Sequence, residues 1–116
     1  MHEMSLVREL VAQVNEAVGQ SGAERVTAVN LVIGQGRDIV PELFFGIFEM
    51  LAEGTALEGA ELAIDSRPYL ARCGQCGRVR PINPFDRSTR RCSVCESGDY
   101  VVVSGMEFAI ESIEVA

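Results

Sequence analysis

Four cysteines in two pairs, Cys73-Gly-Gln-Cys76 and Cys92-Ser-Val-Cys95, with fifteen residues between the pairs, constrain this 116-residue chain more than any other feature. Two residues between thiols let one tight turn aim both sulfurs at a single ion. Two such turns facing each other complete the tetrahedral S4 shell of structural Zn²⁺. Gly74 and Gly77 suit the first turn, and positive φ is expected at both. The second turn is less regular: Glu96 follows its last cysteine and the first glycine comes at Gly98. A disulfide framework would need an oxidising compartment, and the chain does not open with a basic stretch followed by an apolar one, so a cytoplasmic, thiol-preserving setting is expected. A redox CxxC sits at a helix start in a βαβ unit, whereas these pairs sit among Arg, Gly and Pro. Rubredoxin-like iron uses the same four-sulfur geometry and stays open as the alternative metal.

A zinc ribbon is a fold-holding clip in most proteins, so composition has to narrow the function. The formal charge is −7, which opposes the nucleic-acid role common among ribbons, because phosphate binding needs a cationic surface. All ten basic residues are arginine, and six of them, Arg72, Arg78, Arg80, Arg87, Arg90 and Arg91, lie in or beside the ribbon. Asp86, Glu96 and Asp99 oppose them, and a Zn(Cys)4 centre adds about −2, so the ribbon comes out nearly neutral on an acidic body. The arginines read as a solvated face or as groups around the sulfur site. Without lysine there is neither a Walker A loop nor a Schiff-base residue. With one histidine and no strand-turn-helix serine motif, a hydrolytic triad is equally hard to build. The chain reads as a non-enzyme.

Apolar residues at three- and four-residue spacing (Leu6, Val7, Leu10, Val11, Val14, Ala17, Val18) predict an amphipathic helix over 5–18, with Ser5 as N-cap and Gly19 and Gly22 as the stop. Residues 25–33 read as a strand ending at Gly34. After the loop Gly34–Asp38, a second helix begins near Pro41 and carries a buried stripe of Leu43, Phe44, Ile47, Phe48 and Leu51, with Gly54 after it. Residues 61–69 form a second strand. The last strand alternates through Met106, Phe108 and Ile110, and its phase changes at Ser112, as a β-bulge would require. The expected architecture is α+β: a small mixed β-sheet with two α-helices and an inserted zinc ribbon. Residues 1–69 and 101–116 would form the body and 70–100 the ribbon. No membrane-length apolar run interrupts the pattern.

The only histidine is His2. Together with Met1 it offers three nitrogens around one point: the Met1 α-amine, the His2 amide and the imidazole Nδ1. Amine and amide close a five-membered chelate ring, and amide and imidazole a six-membered one. Such strong-field, planar nitrogen sets suit Ni²⁺ and Cu²⁺ rather than Zn²⁺, and Glu3 could add an oxygen. A merely solvated terminal histidine is the plain alternative.

The opening Met1-His2-Glu3-Met4-Ser5-Leu6, the segment 25–34, the run Phe48-Glu-Met-Leu-Ala-Glu-Gly-Thr55, the paired CxxC motifs and the ending Ile110-Glu-Ser-Ile-Glu-Val115 together resemble the HypA/HybF family. The resemblance covers essentially the whole chain. It implies a nickel-incorporation protein of [NiFe]-hydrogenase maturation. His2 would be the nickel ligand with the Met1 amine, its own amide and Glu3, and Cys73, Cys76, Cys92 and Cys95 would hold structural zinc. The implied partners are an accessory GTPase nickel chaperone and the hydrogenase large-subunit precursor, with urease accessory proteins in some organisms, and neither nucleic acid nor membrane. Two departures stand out: Gln35-Gly36-Arg37-Asp38 differs from the Glu-Leu-Ser-Gly-like loop of relatives, and Glu96 stands at a frequent glycine, where it is expected to loosen one knuckle. A zinc-ribbon adaptor or nucleic-acid-associated protein, in which His2 does nothing, is the competing reading.

Overall fold

A computed structural model describes residues 3–83 and 85–116. Its fold is α+β, two helices with small mixed sheets, as expected. Helix α1 spans Glu3–Ser21 and buries Val7, Leu10, Val11, Val14 and Val18. It is longer than the expected 5–18 at both ends. Ser5 lies within the first turn rather than capping it, and the helix runs through Gly19, whose cost of about 1 kcal/mol falls in the last turn, where the Ser21 hydroxyl donates to the Val18 carbonyl at 3.0 Å. Gly22, at φ 79°, is where the helical conformation stops.

Helix α2 spans Pro41–Ala52, with Pro at its first position and Val40 as an N-cap that has no side-chain cap of its own. The Phe44 N–H donates to the Val40 carbonyl at 2.9 Å, the first helical bond. Its buried residues are Phe44, Phe48 and Ala52. The expected stripe is therefore corrected: Leu43 is 49 % exposed, because it lies one position, or about 100°, round from Phe44. The turn after α2 is held by Thr55, whose hydroxyl donates to the Ala52 carbonyl at 2.7 Å and accepts from the Leu57 N–H at 3.1 Å. The Val26 N–H reaches the Ala56 carbonyl at 2.9 Å.

Strands β1 (Val26–Gly34), β2 (Glu61–Arg67) and β6 (Phe108–Val115) form a sheet in the order β2-β1-β6. Hydrogen bonds from Gly34 to Glu107 and from Ala116 to Arg25 set β6 antiparallel to β1. The exposure pattern of β6 shifts phase at Glu111–Ser112. Strands β3 (Leu70–Cys73), β4 (Val79–Pro81) and β5 (Tyr100–Ser104) form a second sheet in the order β4-β3-β5, and β3 runs antiparallel to both neighbours. The strand expected over 61–69 stops at Arg67, since Pro68 has no N–H to give a ladder. The single strand expected after the ribbon is two: β5, built on Val101-Val102-Val103, and β6, with Met106 in the turn between them.

The chain divides into two compact units: the chain up to Val32 with Asp38–Asp65 and Ala109–Ala116, and Ile33–Arg37 with Ser66–Phe108. In the second unit, the 3-10 turn Gln35–Arg37 lies against the β5–β6 turn. The Gly36 N–H donates to the Gly105 carbonyl at 2.7 Å, and Arg37 Nε donates to the Met106 carbonyl at 2.7 Å. A Cβ on Gly34 would run into the Gly105 carbonyl, and one on Gly36 or Gly105 would run into Tyr69. Glu107 closes this junction by accepting the Gly105 N–H at 2.7 Å. Its own N–H, then those of Gly105 and the Ser104 hydroxyl, together with Arg67 nearby, hold its carboxyl below the usual range.

Candidate metal centre

Both CxxC turns fold by the same local rule. In the first, the Cys73 N–H donates to the Arg78 carbonyl at 2.8 Å and the Gly77 N–H returns to the Cys73 carbonyl at 3.0 Å. The Gln75 N–H donates to Cys73 Sγ at 3.4 Å. In the second, Cys92 N–H to Ser97 carbonyl and Glu96 N–H to Cys92 carbonyl are both 2.9 Å, and the Val94 N–H donates to Cys92 Sγ at 3.4 Å. Sequence offsets and bond lengths match. Each turn needs its fifth residue in the left-handed region: Gly77 has φ 77° and Glu96 has φ 62°. Glu96 therefore adopts the glycine conformation instead of loosening the turn. Gly74, expected at positive φ, does not have it. Its glycine requirement is steric, because a Cβ there would meet the Asp99 carboxylate, while its N–H donates to the Asp99 carbonyl at 2.9 Å.

The two turns bring the four sulfurs within 4.8 Å of one another. Cys73 and Cys95 are 3.4 Å apart, and Cys76 and Cys92 are 3.7 Å apart. All four are free thiols, with Cys73 and Cys92 buried and Cys76 and Cys95 exposed. A tetrahedron with Zn–S bonds of about 2.3 Å has edges of about 3.8 Å, so the cluster is shaped for one ion. Electrostatics agree with that reading. The N–H groups of Cys95 and Val94, aimed at its sulfur, lower the Cys92 thiol to about 6. The N–H groups of Cys76 and Gln75 lower Cys73 in the same way. Cys95 receives the Ser97 N–H, yet the adjacent Cys73 sulfur, burial and the other two thiols push it up to about 11. Backbone N–H groups thus favour the thiolate at Cys92 and Cys73, and full ionisation is opposed by mutual repulsion. A divalent cation removes that opposition.

Of the remaining expected ligands, Met1 and His2 lie outside the described residues. Glu3 is buried, 4 % exposed, and its Oε2 accepts the Val40 N–H at 3.0 Å. That bond, the largest cause, together with Glu3's own N–H, holds its carboxyl below the usual range. Glu3 thus ties the first turn of α1 to the N-cap of α2, a role that a pattern of local spacings does not reveal. The arginine cluster is largely exposed, as a solvated face should be. Arg80 is the exception, at 8 % exposed. The hint in the chain is its place between Val79 and Pro81, because adjacent residues of a strand face opposite sides.

A four-thiol metal clip on a three-stranded ribbon, carried by a small α+β chain, defines a metal-binding protein. Among the described residues no helix is long and apolar enough to cross a membrane. A sequence model described as "Hydrogenase/urease nickel incorporation, metallochaperone, hypA" matches residues 1–115. The hydrogenase maturation factor HypA of Chlorobium limicola is 40 % identical over 116 residues, covering 99 % of this chain and 97 % of that protein. That of Desulfatibacillum aliphaticivorans is 37 % identical over 117 residues, covering 100 % of this chain and 88 % of its own length. The solution structure of the Ni metallochaperone HypA from Helicobacter pylori aligns with a TM-score of 0.66 at 27 % identity, over 99 % of this chain and 97 % of that one. A second HypA solution structure aligns at 0.70, also at 27 % identity, over 100 % and 97 %. The chain belongs to the HypA family of nickel-incorporation metallochaperones. It is a maturation factor and not an enzyme.

Proposed function

We propose that this chain carries Ni²⁺ to the maturation of [NiFe]-hydrogenase, and to that of urease in organisms that make it. The observation that carries the reading is the family match from residue 1 to residue 115, which runs through the Met1-His2-Glu3 start and both cysteine pairs. Nickel is bound by the Met1 α-amine, the His2 amide and imidazole, and a Glu3 oxygen. Cys73, Cys76, Cys92 and Cys95 hold structural zinc. Labour divides accordingly: the unit with the paired cysteines holds the zinc, and the unit with both helices bears the nickel site. The anchored Glu3 carboxylate supports this arrangement, because it holds residue 3 in place and a carboxylate has about four lone-pair sites to share.

A carrier must also release its ion. A site at a free terminus can be dismantled by ligand exchange, one donor at a time. Binding displaces protons from an amine of ordinary pKa about 7.7–8.0 and an imidazole near about 6.5, so nickel affinity falls on acidification. Since this chain has no Walker loop, any energy-dependent step belongs to a GTPase partner, and the acceptor is the hydrogenase large-subunit precursor. No nucleic-acid partner is part of the reading, and the cytoplasm is its setting. The delivery claim is tested by mixing nickel-loaded protein with nickel-free large-subunit precursor and the GTPase. Transfer of radioactive nickel to the precursor is expected. Retention of nickel on this chain, under conditions where free Ni²⁺ loads the precursor, would contradict it.

A further inference from the structure

Arg80 is the one basic residue of the ribbon that folding takes out of water, at 8 % exposed. It pairs with Ala71 across β3 and β4, and cross-strand partners project to the same face. Residues two apart on a strand also share a face, so Arg80 stands on the face from which Cys73 projects, one pair along. Its Nη2 donates to the Arg90 carbonyl at 2.7 Å, two residues before Cys92. The guanidinium therefore links the strand pair that carries the first knuckle to the segment that enters the second. Its Nε and Nη1 are buried without a hydrogen-bond partner among the described residues.

A buried cation with unmet donors is unfavourable unless opposite charge lies close by. Four thiolates around a divalent ion supply a net charge of about −2 in the same unit. Building on the zinc reading above, we propose that Arg80 is a charge-balancing and positioning residue for the loaded four-cysteine site. It stabilises the anionic metal centre through space and holds the approach to Cys92 through the Arg90 carbonyl. Loading the site gives the guanidinium its counter-charge. Emptying it weakens that counter-charge, because mutual repulsion then opposes ionisation of all four thiols, so metal binding and ordering of the ribbon are coupled through this side chain.

The test is zinc affinity, read by competition with a chromophoric chelator, for the full-length parent, Arg80→Met and Arg80→Lys. Supporting groups around metal ligands change affinity by about 10–100-fold. Arg80→Met, which keeps length and apolar bulk but no charge, is expected to lose at least about tenfold in that range. Arg80→Lys keeps the charge and one donor, and is expected to stay within about threefold of the parent, since the counter-charge survives. Equal affinity in parent and Arg80→Met would overturn the proposal. So would an equal loss in both variants, which would leave only a shape requirement. A parent that binds no zinc, with all four thiols titrating freely, would instead overturn the four-cysteine zinc reading and the role of Arg80 with it.

Discussion

Glu96 is the residue at which local conformation and chemistry part company. It holds φ 62°, a region that costs a side chain about 1–2 kcal/mol relative to glycine. Glu96→Gly is expected to stabilise the zinc-loaded protein by about 0.5–1 kcal/mol once glycine's greater unfolded-state freedom is subtracted. At this size that raises the melting temperature by about 2–6 °C, measurable by calorimetry. Glu3 gives a second expectation at this scale. Its carboxyl is held below the ordinary range by the Val40 N–H, so its contribution is present above the unfolded carboxylate pKa and fades as pH falls through the folded one. The urea midpoint of Glu3→Gln should lie below the parent's at pH 6 and converge with it towards pH 3. A constant gap across that range would contradict the assignment. The thiol cluster was legible in the sequence because CxxC spacing is a local geometric rule. The Glu3–Val40 bond and the burial of Arg80 were not, because each depends on residues brought together by tertiary pairing.

At the scale of elements, α2 reads as apolar on nearly every side, yet only one side is covered. Phe44 is 0 % exposed and Leu43 is 49 % exposed, one position apart. Phe44→Ala should cost about 3–5 kcal/mol, whereas Leu43→Ser should change stability by less than about 0.5 kcal/mol; chemical denaturation of the two variants compares them directly. Pro41 and the apolar spacing identified α2 as a helix, but its own sequence, with Leu43, Phe44, Phe45, Ile47 and Phe48 all apolar, could not say which side faces α1. The β5–β6 break shows the same limit. Residues 101–103 are β-branched enough for a strand, but the turn at Gly105 is set by Tyr69, which arrives from elsewhere. Gly34→Ala places a Cβ against the Gly105 carbonyl, so backbone must shift on one side. The expected loss is about 2–4 kcal/mol, in the range of overpacked sites, and the same denaturation assay reads it.

Over the whole molecule, charge is sorted by unit. The unit that contains both helices carries Arg8 and Arg25 against thirteen carboxylates, whereas the ribbon-bearing unit carries eight arginines against four. The formal −7 thus averages two opposite surfaces, and the acidic one is the unit whose chain begins with the proposed nickel ligands. A negative field favours the approach of a divalent cation and is screened by salt. Zinc removal should act on the other unit. Amide exchange across β3, β4 and β5 is expected to accelerate when a chelator strips the metal, while α1 and β1 keep most of their protection, since their buried valines and leucines do not depend on the thiols.

The central claim is that two metals occupy two separate sites, and calorimetric titration of Ni²⁺ into untagged, zinc-loaded protein beside its His2→Ala variant tests it most directly. One nickel site in the parent, lost in the variant with zinc content unchanged, is the predicted result. Equal nickel binding by both proteins, or zinc loss matched to nickel uptake, would contradict it.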